Sequence, residues 1–448
     1  MLTGLRDNPD SLIDIILRQS EMIRQLQMRL EKLEARMDEQ SGRGGGAAPF
    51  RRPEHKRKQT PLQPGRGKGH EGSFRQKPDR VDRTVESPLL CCPHCQGAVE
   101  SPRAVEQYLI DIPAVEPVVT RIITTHAYCA RCRRRVRSTH PLQVSSATGA
   151  AGVHLGPRAL ALGAQLRHVF GLTMSKTCGV LEMLCGLQLT TGGLSQALHR
   201  MADKVQGEYQ QLIEKLRLSA VVYTDETSWW VQGPGHSLWV WCNEQITLYR
   251  VVQSRSRATF HETIPPDYPG VLVSDCLSVY DTATPVQQKC YAHHLKAISQ
   301  AREEKGESAV EENDFLAQCR HLLVTAIEQS RRWSQLSAEQ KLSHRRILQI
   351  AAEGLLQGER RCPYEESIRL RLHKQRDHLF TFLQYEGVDP TNNLAERQLR
   401  PAVISRKLSC GNKTLRGART WEILASLAAT ARMNGSRFYE LISAAYAR

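Results

Sequence analysis

Between Leu12 and Met37 the apolar positions keep a heptad. Ile16, Ile23, Leu30 and Met37 hold one register, and Leu12, Leu26 and Leu33 hold the other, which is interrupted at Gln19. With Arg and Glu between them, this pattern predicts a short coiled coil over residues 1–40, through which the chain associates with itself as a dimer. Large apolar side chains then nearly vanish. From Ser41 to about Val85 the chain is rich in Gly, Pro, Arg and Lys, which predicts a flexible basic linker over 41–88. Apolar periodicity returns at Pro157–Phe170, at Ser175–Leu184 and from Thr191 to about Leu216, as three helices. The first two are joined by Gly171, Leu172 and Thr173, the next by Cys185 to Gln188. Short helices across a Gly-containing turn resemble a helix-turn-helix, so 141–216 reads as a helical DNA-binding region. Its second helix would start at Thr190 or Thr191 and turn Ser195, Gln196, His199 and Arg200 outward. A helical spacer packed on the following domain fits the same pattern.

Beyond Leu218 the period shortens to that of strands. Ser219 to Glu226 is a β-branched and aromatic run that ends in acid, with Asp225 placed at the strand end. Trp239–Cys242 and Ile246–Val252 suit a hairpin across Asn243, Glu244 and Gln245. A helical segment near Arg257–Thr263 then leads to the strand Gly270–Ser274, which is followed by Asp275. A strand that returns through a helical crossover lies parallel to its partner, so Asp225 and Asp275 should share one edge of the sheet. Two close carboxylates repel unless a cation lies between them, which outlines a divalent-metal site. From Lys296 to Asp389 the pattern is helical and charged, with no strand between Asp275 and the next candidate acid, Glu396. This predicts an all-α insertion at about 296–389 inside a domain spanning 217–435. After Pro390, Asn393 as N-cap with Glu396 three residues on makes a capping-box pattern, so Glu396 alone reads equally as a cap and as a third acid. An amphipathic helix near Trp421–Arg432 and a helical tail at 436–448 complete the chain.

Two strand-like runs, Gln107–Ile112 and Val118–Thr125, separate the pair Cys92/Cys95 from the pair Cys129/Cys132. Each Cys-x-x-Cys can place two thiolates on one tetrahedral ion through a tight turn, and two pairs close the shell. Residues 89–140 therefore read as a ribbon around one structural zinc. Cys91 and His94 are neighbours without a spacing-matched partner. The other nine of the 13 cysteines follow no framework spacing, which fits reduced thiols.

The 448 residues carry a formal charge of +15 and a pI near 9.3, which points to a polyanionic partner, with nucleic acid first. Arg133, Arg134 and Arg135, flanked by Arg131 and Arg137, would give the second knuckle a DNA-facing edge. Arg397, Arg400, Arg406 and Lys407, continued by Lys413, Arg416 and Arg419, would form a phosphate track beside the acids. Trp229 and Trp230 suit either packing or base stacking. No run of eighteen apolar residues and no basic-then-apolar leader is present, so the expectation is a soluble, cytoplasmic, nucleoid-associated protein with no membrane partner.

Taken in order, Tyr223–Thr227 (YTDET), Val273–Asp281 (VSDCLSVYD), Cys290–His294 (CYAHH), Pro390–Pro401 (PTNNLAERQLRP) and Gly411–Leu427 (GNKTLRGARTWEILASL) resemble the DDE transposases of the insertion-sequence 66 family. The run Pro64–Gly72 is similar to that family's glycine-rich segment before its zinc motif. The resemblance implies an α/β fold with an RNase H-like core, in which Asp225, Asp275 and Glu396 hold two Mg2+ ions, with Mn2+ as their substitute. It also implies that Cys290 and His293 support the active site from behind its ligands. The implied activity is cleavage of element ends and strand transfer into target DNA, with other element-encoded proteins as further partners. The sequence departs from the family at Cys276 and Leu277, where a small and an aromatic residue are usual. Two rival readings stay open: a zinc-ribbon DNA-binding regulator whose catalytic fold serves only as scaffold, and an RNase H-like repair nuclease.

Overall fold

A computed structural model describes residues 75–149, 152–233, 235–281, 283–284, 286–306 and 314–447. The heptad segment and most of the basic linker lie outside the described residues. The chain divides into two compact units, Met1–Asp111 and Ile112–Arg448.

The described part of the first unit is extended chain with one tight turn at Cys92–Gly97, where Cys92 N–H donates to Gly97 O and Gln96 N–H to Cys92 O. The strands expected at Gln107–Ile112 and Val118–Thr125 do not form. A strand persists as one member of a pair, and Leu109, Ile110, Val118 and Val119 are exposed with no ladder beside them. The strands that do form in this stretch of sequence are β1 (His126–Cys129) and β2 (Arg134–Arg137), antiparallel around the second cysteine pair.

Helices α1 (Pro157–His168), α2 (Met174–Cys185), α3 (Thr191–Lys204) and α4 (Gln206–Arg217) follow. The single helix expected from Thr191 to Leu216 is two, because buried Val205 leaves the helical region (ψ 17°) and turns the chain. The sheet consists of β3 (Val221–Trp229), β4 (His236–Cys242), β5 (Thr247–Val252), β6 (Val271–Ser274) and β7 (Gln287–Lys289), in the order β5-β4-β3-β6-β7. The first three make an antiparallel meander, while β6 and β7 run parallel to β3. A short helix, α5 (Arg257–His261), lies on the crossover between β5 and β6.

β7 corrects the expectation that no strand separates Asp275 from Glu396. Its residues are Gln287, Gln288 and Lys289, polar yet fully buried, so neither alternation nor β-propensity marks them. They are held by side-chain bonds instead: Gln288 Nε2 donates to Lys289 O, Thr381 Oγ1 donates to Gln287 O, and Phe382 N–H donates to Gln288 Oε1.

The strands alternate between two cores with the period of two that a sheet covered on both faces requires. Tyr223, Leu238, Val240, Cys242, Val271 and Val273 face one core. It is completed by α6 (Tyr291–Lys305), α7 (Phe315–Ser330), α8 (Ala338–Leu356), α9 (Pro363–Lys374) and α10 (Asn393–Ser409). Val222, Trp239, Trp241, Leu248 and Leu272 face the other, completed by α1–α5, α11 (Leu415–Met433) and α12 (Phe438–Ala447). The result is a mixed α/β body of helix, sheet and helix layers, in which α1, α3 and α4 pack onto α11 and α4 also onto β5.

β5 is an edge strand, and an uncovered edge is a template for unwanted pairing. Here α11 covers it with a ladder of side chains one turn apart. Val251 N–H donates to Glu422 Oε1 (2.6 Å), Tyr249 N–H to Ser426 Oγ (2.8 Å) and Thr247 N–H to Thr430 Oγ1 (3.0 Å). Glu422, Ser426 and Thr430 share a helix face because they are four residues apart.

Candidate active site

In the parallel ladder Tyr223 pairs with Val273, and two residues further along each chain stand Asp225 and Asp275. The ladder to β6 stops before them, so the chains part where the acids sit. Asp225 lies inside β3 and not at its end, because the antiparallel partner β4 continues opposite it (Asp225↔Val240) out to Trp229. Each acid gives one oxygen to its own backbone: Asp225 Oδ1 accepts from Glu226 N–H (2.8 Å), and Asp275 Oδ1 from Leu277 N–H (3.0 Å). Among the described residues, no hydrogen bond engages the second oxygen of either.

Glu396 is brought in by α10, which is fastened along β3. Asp389 N–H donates to the Tyr223 hydroxyl (3.0 Å), and Tyr291 N–H donates to Pro390 O (2.9 Å). Asn392 Nδ2 donates to Thr224 O (2.8 Å), its N–H reaches Cys290 Sγ (3.1 Å), and the Tyr249 hydroxyl donates to Gln398 O. The helix begins one residue earlier than expected. Its N-cap is Asn392, no side chain caps it, and Glu396 is the fourth helical residue, so there is no capping box. Asn392, absent from the sequence expectations, is the residue that ties α10 to both β3 and α6. Its polar side chain next to Asn393 gave no signal that one of the two would be wholly buried.

Asp275 and Glu396 are electrostatic neighbours of Asp225, although among the described residues the ligand atoms of the three acids do not converge within 4.8 Å. Burial, with Asp275, Glu396 and Glu226 as like-charged neighbours, pushes the Asp225 carboxyl up to about 7 even though it accepts the Glu226 N–H. A carboxylate held in that position fits a divalent cation, whose charge would reverse the cost. Glu226 is not itself free, since it accepts from Trp239 Nε1 (2.8 Å) and pairs with Arg255 (3.2 Å). Among the described residues, the side chains whose ligand atoms converge within 4.8 Å of one another are Cys290, His293 and Glu396. Cys290 is the N-cap of α6, and His293 lies in its first turn. Behind them His294 is buried, its Nε2 3.6 Å from Cys276 Sγ and its Nδ1 accepting from Arg371 (3.4 Å); burial first, then Arg371, lowers its pKa to about 3.

The candidate DNA contacts divide. Arg133, Arg134 and Arg135 on the β1–β2 hairpin, Gln196 and Arg200 on α3, and Arg397, Arg400 and Lys407 on α10 are exposed. Arg406 is committed to the tip of β3, where its guanidinium donates to Thr227 Oγ1 (3.0 Å), Ser228 Oγ (2.8 Å) and Ser228 O. His199, expected to face outward, is buried and bonded to Thr420 Oγ1 of α11 (2.6 Å), because α3 packs that face on α11. Arg419 likewise pairs with Glu422 and covers the Tyr209 ring. The tryptophan pair also splits. Trp229 is 3% exposed, stacks on Trp421 at 4.7 Å and donates to Asn412, whereas Trp230 is 41% exposed. The Trp230 carbonyl accepts Asn412 N–H (2.9 Å) and lies against Gly411, whose φ of 89° and lack of a Cβ allow that approach.

The cysteine pairs have a common local form. In each, the residue after the second cysteine has a left-handed backbone, Gln96 at φ 63° and Arg133 at φ 53°. In each, backbone N–H groups lower the pKa of the first thiol: those of His94 and Cys95 act at Cys92, and those of Cys132 and Arg131 at Cys129. Cys92 and Cys95 belong to the first unit, Cys129 and Cys132 to the second.

A mixed sheet that presents paired acids at a parallel step, with a third on a helix strapped to the same strand, defines a candidate metal-dependent enzyme centre. The chain belongs to the transposase IS66 family, whose model matches residues 152–420 and so takes in all three acids. The chain is also 22% identical over 293 residues to the "Uncharacterized protein y4qI" of Sinorhizobium fredii (strain NBRC 101917 / NGR234), covering 56% of this chain and 51% of that protein. The chain thus spans about half the length of the curated relative it matches. Among the described residues, no helix is long and apolar enough to cross a membrane.

Proposed function

We propose that the chain is a DNA transposase that cuts the ends of its element and joins them to target DNA at the site of Asp225, Asp275 and Glu396. The observation that carries this reading is the parallel register of Tyr223 with Val273, two residues before Asp225 and Asp275, together with the raised pKa of Asp225, which comes first from burial and then from Asp275 and Glu396. The order β5-β4-β3-β6-β7, with an antiparallel meander followed by two parallel strands, supports an RNase H-like assignment of the core.

In this reading Asp225, Asp275 and Glu396 would together hold two Mg2+ or Mn2+ ions. The bound ions would activate the attacking water or 3′-hydroxyl and stabilise the leaving oxygen. The protein's own part is positional. β3 and β6 fix two acids on a rigid sheet, and α10 places the third while offering Arg397, Arg400 and Lys407 to the DNA phosphates. The exposed Arg133, Arg134 and Arg135 and the α3 residues Gln196 and Arg200 supply further DNA contacts. Zinc enters through the two cysteine pairs, whose matching knuckle shape suits a thiolate ligand. The heptads of 1–40 supply self-association.

Asp225→Asn and Asp275→Asn test the assignment, since each removes a ligand charge and almost no volume. Mg2+-dependent cleavage of a DNA substrate carrying the element ends should fall by about a thousandfold or more, the several kcal/mol that a metal contributes to a transition state. DNA affinity in a mobility-shift assay should stay within a few fold. Cleavage at the wild-type rate by either variant would sink the reading. Retained acids distinguish this reading from that of a DNA-binding regulator, which has no use for them.

A further inference from the structure

The side chains around Glu396 include donors that an all-oxygen magnesium site does not use. Cys290 and His293 each offer a ligand atom within 4.8 Å of a Glu396 oxygen and of each other, and Cys290 is wholly buried. Two buried atoms here, His293 Nδ1 and Asn392 Oδ1, have no hydrogen-bond partner among the described residues. Asn392 is itself fully buried, and its N–H is bound to Cys290 Sγ at 3.1 Å. A buried polar atom without a partner costs about 1–3 kcal/mol, so two at one junction mark a place that a ligand would stabilise. Thiolate, imidazole, carboxylate and amide oxygen all present lone pairs, which suits a cation. The sulfur and nitrogen among them select zinc-class ions over magnesium.

We propose that Cys290, His293 and Glu396 form a binding site for a thiophilic divalent cation of the zinc class, and that its occupancy withdraws Glu396 from Asp225 and Asp275 and stops strand cleavage. The second half rests on the transposase reading above; the first half does not. Zinc–ligand distances of about 2.0–2.3 Å place neighbouring ligands roughly 3.3–3.8 Å apart, so ligand atoms that now lie within 4.8 Å of one another would draw together by about 1 Å on binding. On binding, the Cys290 thiol gives up its proton to solvent and the sulfur takes the cation. Water or Asn392 Oδ1 completes the shell. The acids of the same site could then be loaded with Mg2+ only after the thiophilic ion leaves, which makes the cluster an inhibitory metal switch.

The test uses the full chain with Zn2+ and Co2+ as probes, comparing wild type with Cys290→Ser and His293→Gln. After desalting, the wild type should retain one equivalent of Zn2+ more than either variant. Co2+ affinity should fall at least tenfold in each variant, with loss of one thiolate's share of the sulfur-to-cobalt absorption in Cys290→Ser. One further equivalent of Zn2+ should cut Mg2+-dependent cleavage by the wild type at least tenfold, reversibly on chelation. Equal zinc content and identical cobalt spectra in all three proteins would overturn the site and leave Cys290 and His293 as packing around Glu396. Unfolding of both variants in chelator, where no cation is present to lose, would overturn it in the same way. Cleavage that persists with the extra zinc bound would overturn the switch. A wild type that binds the extra ion but cleaves no DNA would leave the site standing and refute the transposase reading.

Discussion

Two carboxylates lie against the same sheet on opposite sides of β4, Glu422 buried and Asp225 half-buried, and they differ in what surrounds them. Glu422, on α11 at the β5 edge, is 6% exposed, and each of its oxygens has a protein donor: Val251 N–H at 2.6 Å and Arg419 at 2.9 Å. Asp225, on β3, is met by Glu226 N–H and then by three more acids. Burial raises the pKa of both, but only Glu422 has a cation of its own to oppose the rise. The first is a completed structural bond that closes a sheet edge. The second is a charge the fold holds ready without neutralising it, and such an incomplete balance separates a site from a scaffold.

The largest effect on stability should come from breaking the completed side. Glu422→Ala leaves the Val251 N–H without its partner and opens one rung of the ladder over the β5 edge, which should cost about 2–3 kcal/mol. Glu422→Gln, which can still accept from Val251, should cost about 1 kcal/mol. Thermal melts read both, and chelator or Mg2+ should make no difference to either. A loss under 1 kcal/mol for the Ala variant would show that α11 does not depend on this ladder.

Breaking the incomplete side should act with the opposite sign. In the chain stripped of divalent ions, folded Asp225 keeps its proton up to about pH 7, while the unfolded chain releases it near pH 4. The folded state therefore binds more protons across that window, and stability falls as pH rises through it. The rise from 3.8 to about 7 sets a ceiling of about 4 kcal/mol at pH 8, reduced in practice as neighbouring acids relax. Asp225→Asn should stabilise the metal-free chain at pH 8 by about 2 kcal/mol and flatten its melting temperature between pH 5 and 8. Added Mg2+ should cancel the advantage by stabilising the wild type. Destabilisation by Asp225→Asn at pH 8 in chelator would mean that the carboxylate is satisfied by the protein, as Glu422 is.

The two regions were also unequally legible in the sequence. The strands that carry Asp225 and Asp275, the hairpin beside them and their parallel pairing follow from β-branched runs and one helical crossover, and they appear with shifts of a few residues. The α11 ladder was not legible. Glu422, Ser426 and Thr430 look like the polar stripe of an amphipathic helix, and only the open edge of β5 turns that stripe inward. β7 was missed for a related reason, since Gln287, Gln288 and Lys289 are buried by bonds to side-chain and backbone partners that no local pattern records. The strands expected at Gln107–Ile112 and Val118–Thr125 erred in the other direction, because propensity was present and a partner was not. His199 and Arg406 followed charge and polarity, and tertiary contacts claimed both.

Glu396 sits between the two regions in kind, and its substitution should give the smallest change in stability. The capping-box reading made Glu396 a partner of the helix start, in which case its loss would fray α10. With Asn392 as the N-cap and its side chain committed to Thr224 O, that role is vacant, and Glu396 contributes only as an acid in the first turn of a helix. A first-turn carboxylate is worth a few tenths to about 1 kcal/mol through the helix dipole. Glu396→Gln keeps the shape and removes the charge. It should leave the melting temperature within the equivalent of about 0.5 kcal/mol while abolishing Mg2+-dependent cleavage, since an amide is a poor ligand for a hard cation. Retained cleavage would move the third acid elsewhere. Glu226 is engaged by Trp239 and Arg255, whereas Asp389 uses only Oδ1, for Thr391 N–H and Oγ1 (both 2.6 Å), which leaves Glu386 and Asp389 as the residues to substitute next.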